Sequence, residues 1–96
     1  MELHDTITDG QRFALNKLVG GVAKDRHCRL FVIGDLLGRK IETTATLTVG
    51  DWRQIRNMAY NNWGAGDWTP TAEFIGKCRG IAEKYEVEVV GQKLLF

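Results

Sequence analysis

Leu30-Phe31-Val32-Ile33-Gly34-Asp35-Leu36-Leu37-Gly38-Arg39-Lys40-Ile41-Glu42-Thr43-Thr44-Ala45-Thr46-Leu47 is the stretch whose reading decides the fold. Leu30 to Ile33 is a short apolar run, the pattern of a strand covered on both faces. From Ile41 to Leu47 the chain alternates strictly, with Ile41, Thr43, Ala45 and Leu47 on one side and Glu42, Thr44 and Thr46 on the other. Alternation in a segment rich in β-branched residues predicts a half-buried strand with a solvated face. Gly38-Arg39 between the two runs suits a two-residue type II′ turn. That register sets Leu30 opposite Leu47, Val32 opposite Ala45 and Leu36 opposite Ile41. It also sets Asp35 opposite Glu42, an unfavourable pair of like charges unless a basic side chain intervenes. Arg39 and Lys40 are close enough in sequence to do so, and a wider turn would keep the carboxylates apart.

Upstream of this hairpin, Thr8 and Gln11 have the spacing of a capping box, in which each side chain satisfies the other residue's backbone N–H. A helix follows, with Leu15, Leu18, Val19 and Val22 on one face and Phe13 nearly opposite. Gly20-Gly21 is its natural stop. Downstream, Thr48 and Asp51 form an Asp variant of the same box ahead of an apolar series. Trp52, Ile55, Ala59 and Trp63 make the core stripe of that second helix, which Asn61-Asn62 and Gly64-Ala65-Gly66 end. Thr69-Pro70 starts a third helix, with Thr69 as N-cap and proline in the first turn. Its buried face is Phe74, Ile75, Cys78, Ile81, Ala82 and Tyr85. Gly76 and Gly80 sit at the edge of its exposed side, where a neighbour packing closely on the backbone would explain them. Val87 to Phe96 reads as a last strand with a bulge at Gly91, where the apolar phase switches.

The expected fold is therefore α+β. Residues 1–96 make one domain in the order α-β-β-α-α-β, an antiparallel sheet of about three strands packed against helices. Ninety-six residues suit a single core without disulfide or metal staples. Hydrophobic residues at 44% and charged residues at 26% are ordinary globular values. The longest apolar run, Leu30 to Ile33, is far too short to cross a bilayer, and the acidic Met1-Glu2 start is unlike a secretory signal. A cytoplasmic protein with no membrane partner is expected. Two cysteines, Cys28 and Cys78, are too few for a secreted disulfide framework and read as buried thiols. They have no metal-ligand spacing with His4 or His27, so neither a metal nor another cofactor is expected.

Catalysis has little support. The chain contains no serine, and Cys78 lies within an apolar stripe, where a thiol is normally inert. A small thiol- or metal-dependent enzyme is the third-ranked reading. The leading one is a non-catalytic binding or regulatory protein that engages a macromolecular partner, a protein first of all, through its Trp-rich helix-loop-helix. Arg53, Gln54, Asn57 and Asn61 lie within one outward arc of the second helix, uninterrupted by a carboxylate. Trp68 in the link and Phe13 on the first helix complete the expected binding residues. Amides where Glu or Lys would make the better helix are the unusual choice. Arg, Asn and Gln can also pair with base edges, so a helix-turn-helix-like DNA- or RNA-binding protein is the alternative. A net charge of +1 offers no overall attraction to nucleic acid. The local surplus of Lys24, Arg26, Arg29, Arg39 and Lys40 falls at opposite ends of the expected hairpin. Arg56, in phase with the apolar stripe, is expected to lay its stem along the core rim. The size is that of many regulators and inhibitors, those of phages and other mobile elements among them. A homodimer is compatible with these faces.

Overall fold

A computed structural model describes residues 2–60 and 69–91 of the chain. Asn61, Trp63, Trp68, the 64–67 link and the end of the expected last strand lie outside the described residues. Four α-helices run in the order α1 (Asp9–Gly20), α2 (Arg26–Leu37), α3 (Val49–Ala59) and α4 (Ala72–Tyr85). Among the described residues there is no sheet, and Thr6 and Thr48 form one isolated antiparallel bridge. The α+β expectation is thus corrected to an all-helical fold.

The correction turns on α2, where the first strand of the hairpin was expected. Its ends are marked by local chemistry. The Asp25 carboxylate accepts from the Cys28 N–H at 3.2 Å, an N-cap that satisfies one of the orphan donors of the first turn. At the other end Gly38 takes the left-handed conformation, φ 75° and ψ 24°. Its N–H donates to the Asp35 carbonyl at 3.3 Å, and the Arg39 N–H donates to the Gly34 carbonyl at 3.0 Å. This is a Schellman motif, which needs a residue that enters positive φ without strain. Gly38 therefore closes a helix instead of turning a hairpin.

Cys28, Leu30, Val32, Ile33 and Leu36 are all buried because α2 is flanked by α1, α3 and α4. A helix covered on most sides is apolar on most sides, and its short apolar runs resemble those of a buried strand. With 30–33 helical, residues 41–47 have no strand to pair with. They form an irregular segment with a 3₁₀ turn at Thr44–Thr46. The Thr43 hydroxyl accepts from the Ala45 N–H at 3.3 Å, and its carbonyl accepts from the Thr46 hydroxyl at 2.9 Å. Such local bonds compete with ladder pairing. Ile41 and Leu47 still enter the core, while Ala45 is exposed. Asp35 and Glu42 are not cross-strand partners: Asp35 on α2 faces the Lys84 ammonium at 3.8 Å.

Both capping boxes form as read. Thr8 and Gln11 exchange bonds of 3.0 and 3.1 Å, and Thr48 and Asp51 bonds of 2.9 and 3.2 Å. The N-terminal segment then crosses the start of α3. The Leu3 carbonyl accepts from Gly50 at 2.7 Å, the Asp5 carbonyl accepts from Val49 at 2.8 Å, and the Ile7 N–H donates to Leu47 at 3.0 Å. The first N–H groups of α3 are satisfied inside the molecule. A Cβ at Gly50 would lie 2.9 Å from the Leu3 carbonyl oxygen, so this position requires glycine.

The start of α4 is also corrected. Its N-cap is Thr71, whose hydroxyl accepts from Phe74 at 3.1 Å, so Thr69-Pro70 precedes the helix. The Thr71 N–H donates to the Ala59 carbonyl at 2.8 Å, joining the start of α4 to the end of α3. Of the expected buried stripe, Phe74, Cys78, Ile81, Ala82 and Tyr85 are in the core, while Ile75 is only half-buried and lies outside it. Beyond Tyr85 the chain continues helically as a π-turn, Glu86–Val90, and not as a strand. No sheet edge is on offer among the described residues, and valine's helix penalty of a few tenths of a kcal/mol does not stop the helix. No close neighbour explains Gly76 or Gly80: a Cβ at either would meet nothing within 4 Å. One cluster of buried residues draws on all four helices and on Ile7, Ile41 and Leu47.

Candidate functional site

The roll of α3 follows from its apolar spacing. Trp52, Ile55 and Ala59 are buried against the neighbouring helices, and the Thr48–Asp51 box sets where the helix begins. That phase leaves Arg53, Gln54 and Asn57 exposed within about 100° of helix circumference. None of the three makes a hydrogen bond or ion pair among the described residues. Their donors and acceptors are turned to solvent, with no carboxylate between them. Arg56 is half-buried beside this face.

Of the other expected site residues, Phe13 alone is described. Phe13 lies on α1, 71% exposed, on the side away from buried Leu15 and Val19. Asn61 and Trp68 lie outside the described residues. The link on which the helix-turn-helix comparison depends lies mostly outside the described residues. The turn in that motif is about three to four residues.

Sequence reading missed a groove of about 880 Å³ where α2, the following loop and the end of α4 meet. Leu30, Phe31, Ile41, Tyr85 and Val89 supply its apolar surface, with Phe31 and Tyr85 rings 5.4 Å apart and tilted by 53°. Charged side chains of both signs, Asp35, Lys40 and Glu42 among them, stand at its rim. The signal that could have found it is the twelve-residue span between the Asp25 cap and Gly38. That is a helix length, and it places Leu30 and Phe31 beside Tyr85 instead of in a hairpin.

The thiols are unsuited to nucleophilic work. Burial pushes Cys78 up to about 11, and burial followed by the nearby Glu86 and Asp25 charges raises Cys28 as well. A nucleophilic cysteine needs the opposite shift. No described residues bring together three or more His, Cys, Asp or Glu side chains able to hold a metal ion. Nor is any helix among the described residues long and apolar enough to cross a membrane. No protein-family model, curated protein or solved structure matches this chain.

Proposed function

We propose that the chain is a small non-catalytic binding protein that engages a protein partner through the outward face of α3. The observation that carries this reading is the arrangement of Arg53, Gln54 and Asn57. They are neighbours on one helix face, exposed, and without intramolecular partners among the described residues. A helix face whose only role is solubility is ordinarily filled with Glu and Lys, which are better helix formers. Unengaged amides and a guanidinium offer directed hydrogen bonds instead, and Arg is among the side chains enriched at interface hot spots. A protein is preferred to nucleic acid because the arc carries one cation, Arg53, and phosphate contacts supply most non-specific nucleic-acid affinity.

The test compares wild type with the Arg53→Ala/Gln54→Ala/Asn57→Ala variant in affinity capture from host extract. The fold is checked by far-UV circular dichroism. A partner held by wild type and lost by the folded variant supports the reading, with an expected affinity loss of at least about tenfold. Equal capture by both proteins removes the α3 face from consideration. Salt-dependent binding of duplex or single-stranded nucleic acid, lost in the same variant, would replace the protein partner by a nucleic acid.

A further inference from the structure

A second, smaller cavity of about 170 Å³ lies between the first two helices and the loop that follows α2. Arg12 and Asn16, one turn apart on α1, form one wall. Arg26 and Arg29, in the first turn of α2, form another, and Thr43 and Thr44 close it from the loop. Three arginines line it, and no carboxylate is among the lining residues. The carboxylates nearest in sequence do little to compensate them. Asp9 is fully exposed and 3.7 Å from the Arg12 Nη1, while the Asp25 carboxylate caps α2 through the Cys28 N–H.

Arg29 is held in place by uncharged acceptors, its Nη1 donating to the Lys24 and Ala23 carbonyls, so its charge remains. Arg12 Nε is buried and has no hydrogen-bond acceptor among the described residues. Arg26 makes no hydrogen bond or ion pair there either. The Thr43 hydroxyl accepts from the Ala45 N–H, which leaves its own proton to donate. The cavity is thus ringed by donors and positive charge, a combination that disfavours itself unless an anion arrives.

We infer that this cavity binds a tetrahedral oxyanion of the phosphate class, a phosphomonoester dianion. Guanidinium forks match the geometry of phosphate oxygens and hold them bidentately. The volume is below the roughly 300 Å³ at which clefts begin to enclose drug-sized ligands, so the site takes a charged group and not a whole molecule. Three cations on one small cavity suit a charge near −2 better than a single phosphodiester, whose successive charges call for cations spread along a track. This site does not involve the α3 face and stands whether or not that face binds a partner.

The experiment is thermal unfolding of the whole chain against inorganic phosphate and phosphoserine, with chloride at matched ionic strength as reference. Phosphate is expected to raise Tm in a saturable way, and phosphoserine to do so at least as well if the group is presented on a larger molecule. Arg12→Gln/Arg26→Gln, which leaves the Arg29 anchor intact, is expected to weaken binding at least tenfold while its ligand-free Tm stays near wild type. Arg26→Gln alone, an exposed position, keeps the test decisive if the double variant unfolds. An equal Tm rise in chloride, or unchanged phosphate affinity in these variants, overturns the site. Tighter binding of oligonucleotide than of phosphoserine, lost in the same variants, overturns the monoester in favour of a nucleic-acid backbone.

Discussion

Arg39 and Asp51 form a two-pronged ion pair that ties the end of α2 to the start of α3, with Nη1–Oδ1 at 3.0 Å and Nη2–Oδ2 at 2.6 Å. The pairing does two jobs at one carboxylate. Asp51 Oδ2 also accepts from the Thr48 N–H at 2.9 Å, so the group that completes the capping box is the one that holds Arg39. The Asp51 side chain is 11% exposed and that of Arg39 47%. Arg39, part of the basic surplus in sequence, is consequently committed to the fold.

A double-mutant cycle on Arg39→Gln and Asp51→Asn should give a coupling of about 1 kcal/mol, kept small by the solvent around the guanidinium. Urea denaturation of the four proteins measures it. Strictly additive effects would show that the pair adds no stability.

The same pair predicts an acid response. Arg39's hydrogen bonds are the largest influence on Asp51, and with the Thr48 bonds they outweigh burial, so its carboxyl sits below its ordinary value of 3.8. A folded-state pKa below the unfolded one contributes stability that is fully present above the unfolded value. That contribution is lost as pH falls from 3.8 through the lower folded value. Urea midpoints should therefore decline in that acid window, and Arg39→Gln should flatten the decline. An unchanged acid slope in the variant would contradict the assignment.

Gly34 and Gly76 should respond oppositely to alanine. A Cβ at Gly34 would lie 2.6 Å from the Arg39 carbonyl oxygen, where the chain folds back over α2. Gly34→Ala is expected to destabilise by about 1–3 kcal/mol through overpacking, although alanine is the better helix former. Gly76→Ala and Gly80→Ala add a methyl group to open space and should each stabilise by about 0.5–1 kcal/mol. Chemical denaturation midpoints decide both, and a stabilising Gly34→Ala would contradict the return of the chain over α2.

Cys78 is fully buried, with its thiol pushed up to about 11. At neutral pH it should resist alkylation until the protein is unfolded by denaturant. Rapid modification of Cys78 in native protein, mapped by mass spectrometry, would contradict this environment.

The starts of α1 and α3 were legible because caps are local. Thr8 with Gln11, and Thr48 with Asp51, satisfy backbone groups three residues away and need no distant partner. The roll of α3 was legible for a similar reason: Trp52, Ile55 and Ala59 repeat at helical spacing and leave Arg53, Gln54 and Asn57 outward. At Leu30 to Ile33 periodicity carried no such information, because a helix surrounded by three others shows neither polar face nor strand alternation. The Asp25 and Gly38 signals bracketed it, yet the apolar run and the alternation after it favoured a hairpin.

By itself, then, the sequence determined where α1 and α3 begin and which side of α3 meets the core, since those depend on contacts within one turn or one stripe. Only the tertiary structure decided that residues 26–37 are helical, that 41–47 have no strand beside them, and that Arg39 belongs to Asp51. The same holds for the meeting of Arg12 with Arg26 and Arg29 across two helices. Each of those outcomes rests on groups far apart in the chain, brought together by the burial of a common core, and neither spacing nor propensity encodes such a meeting locally.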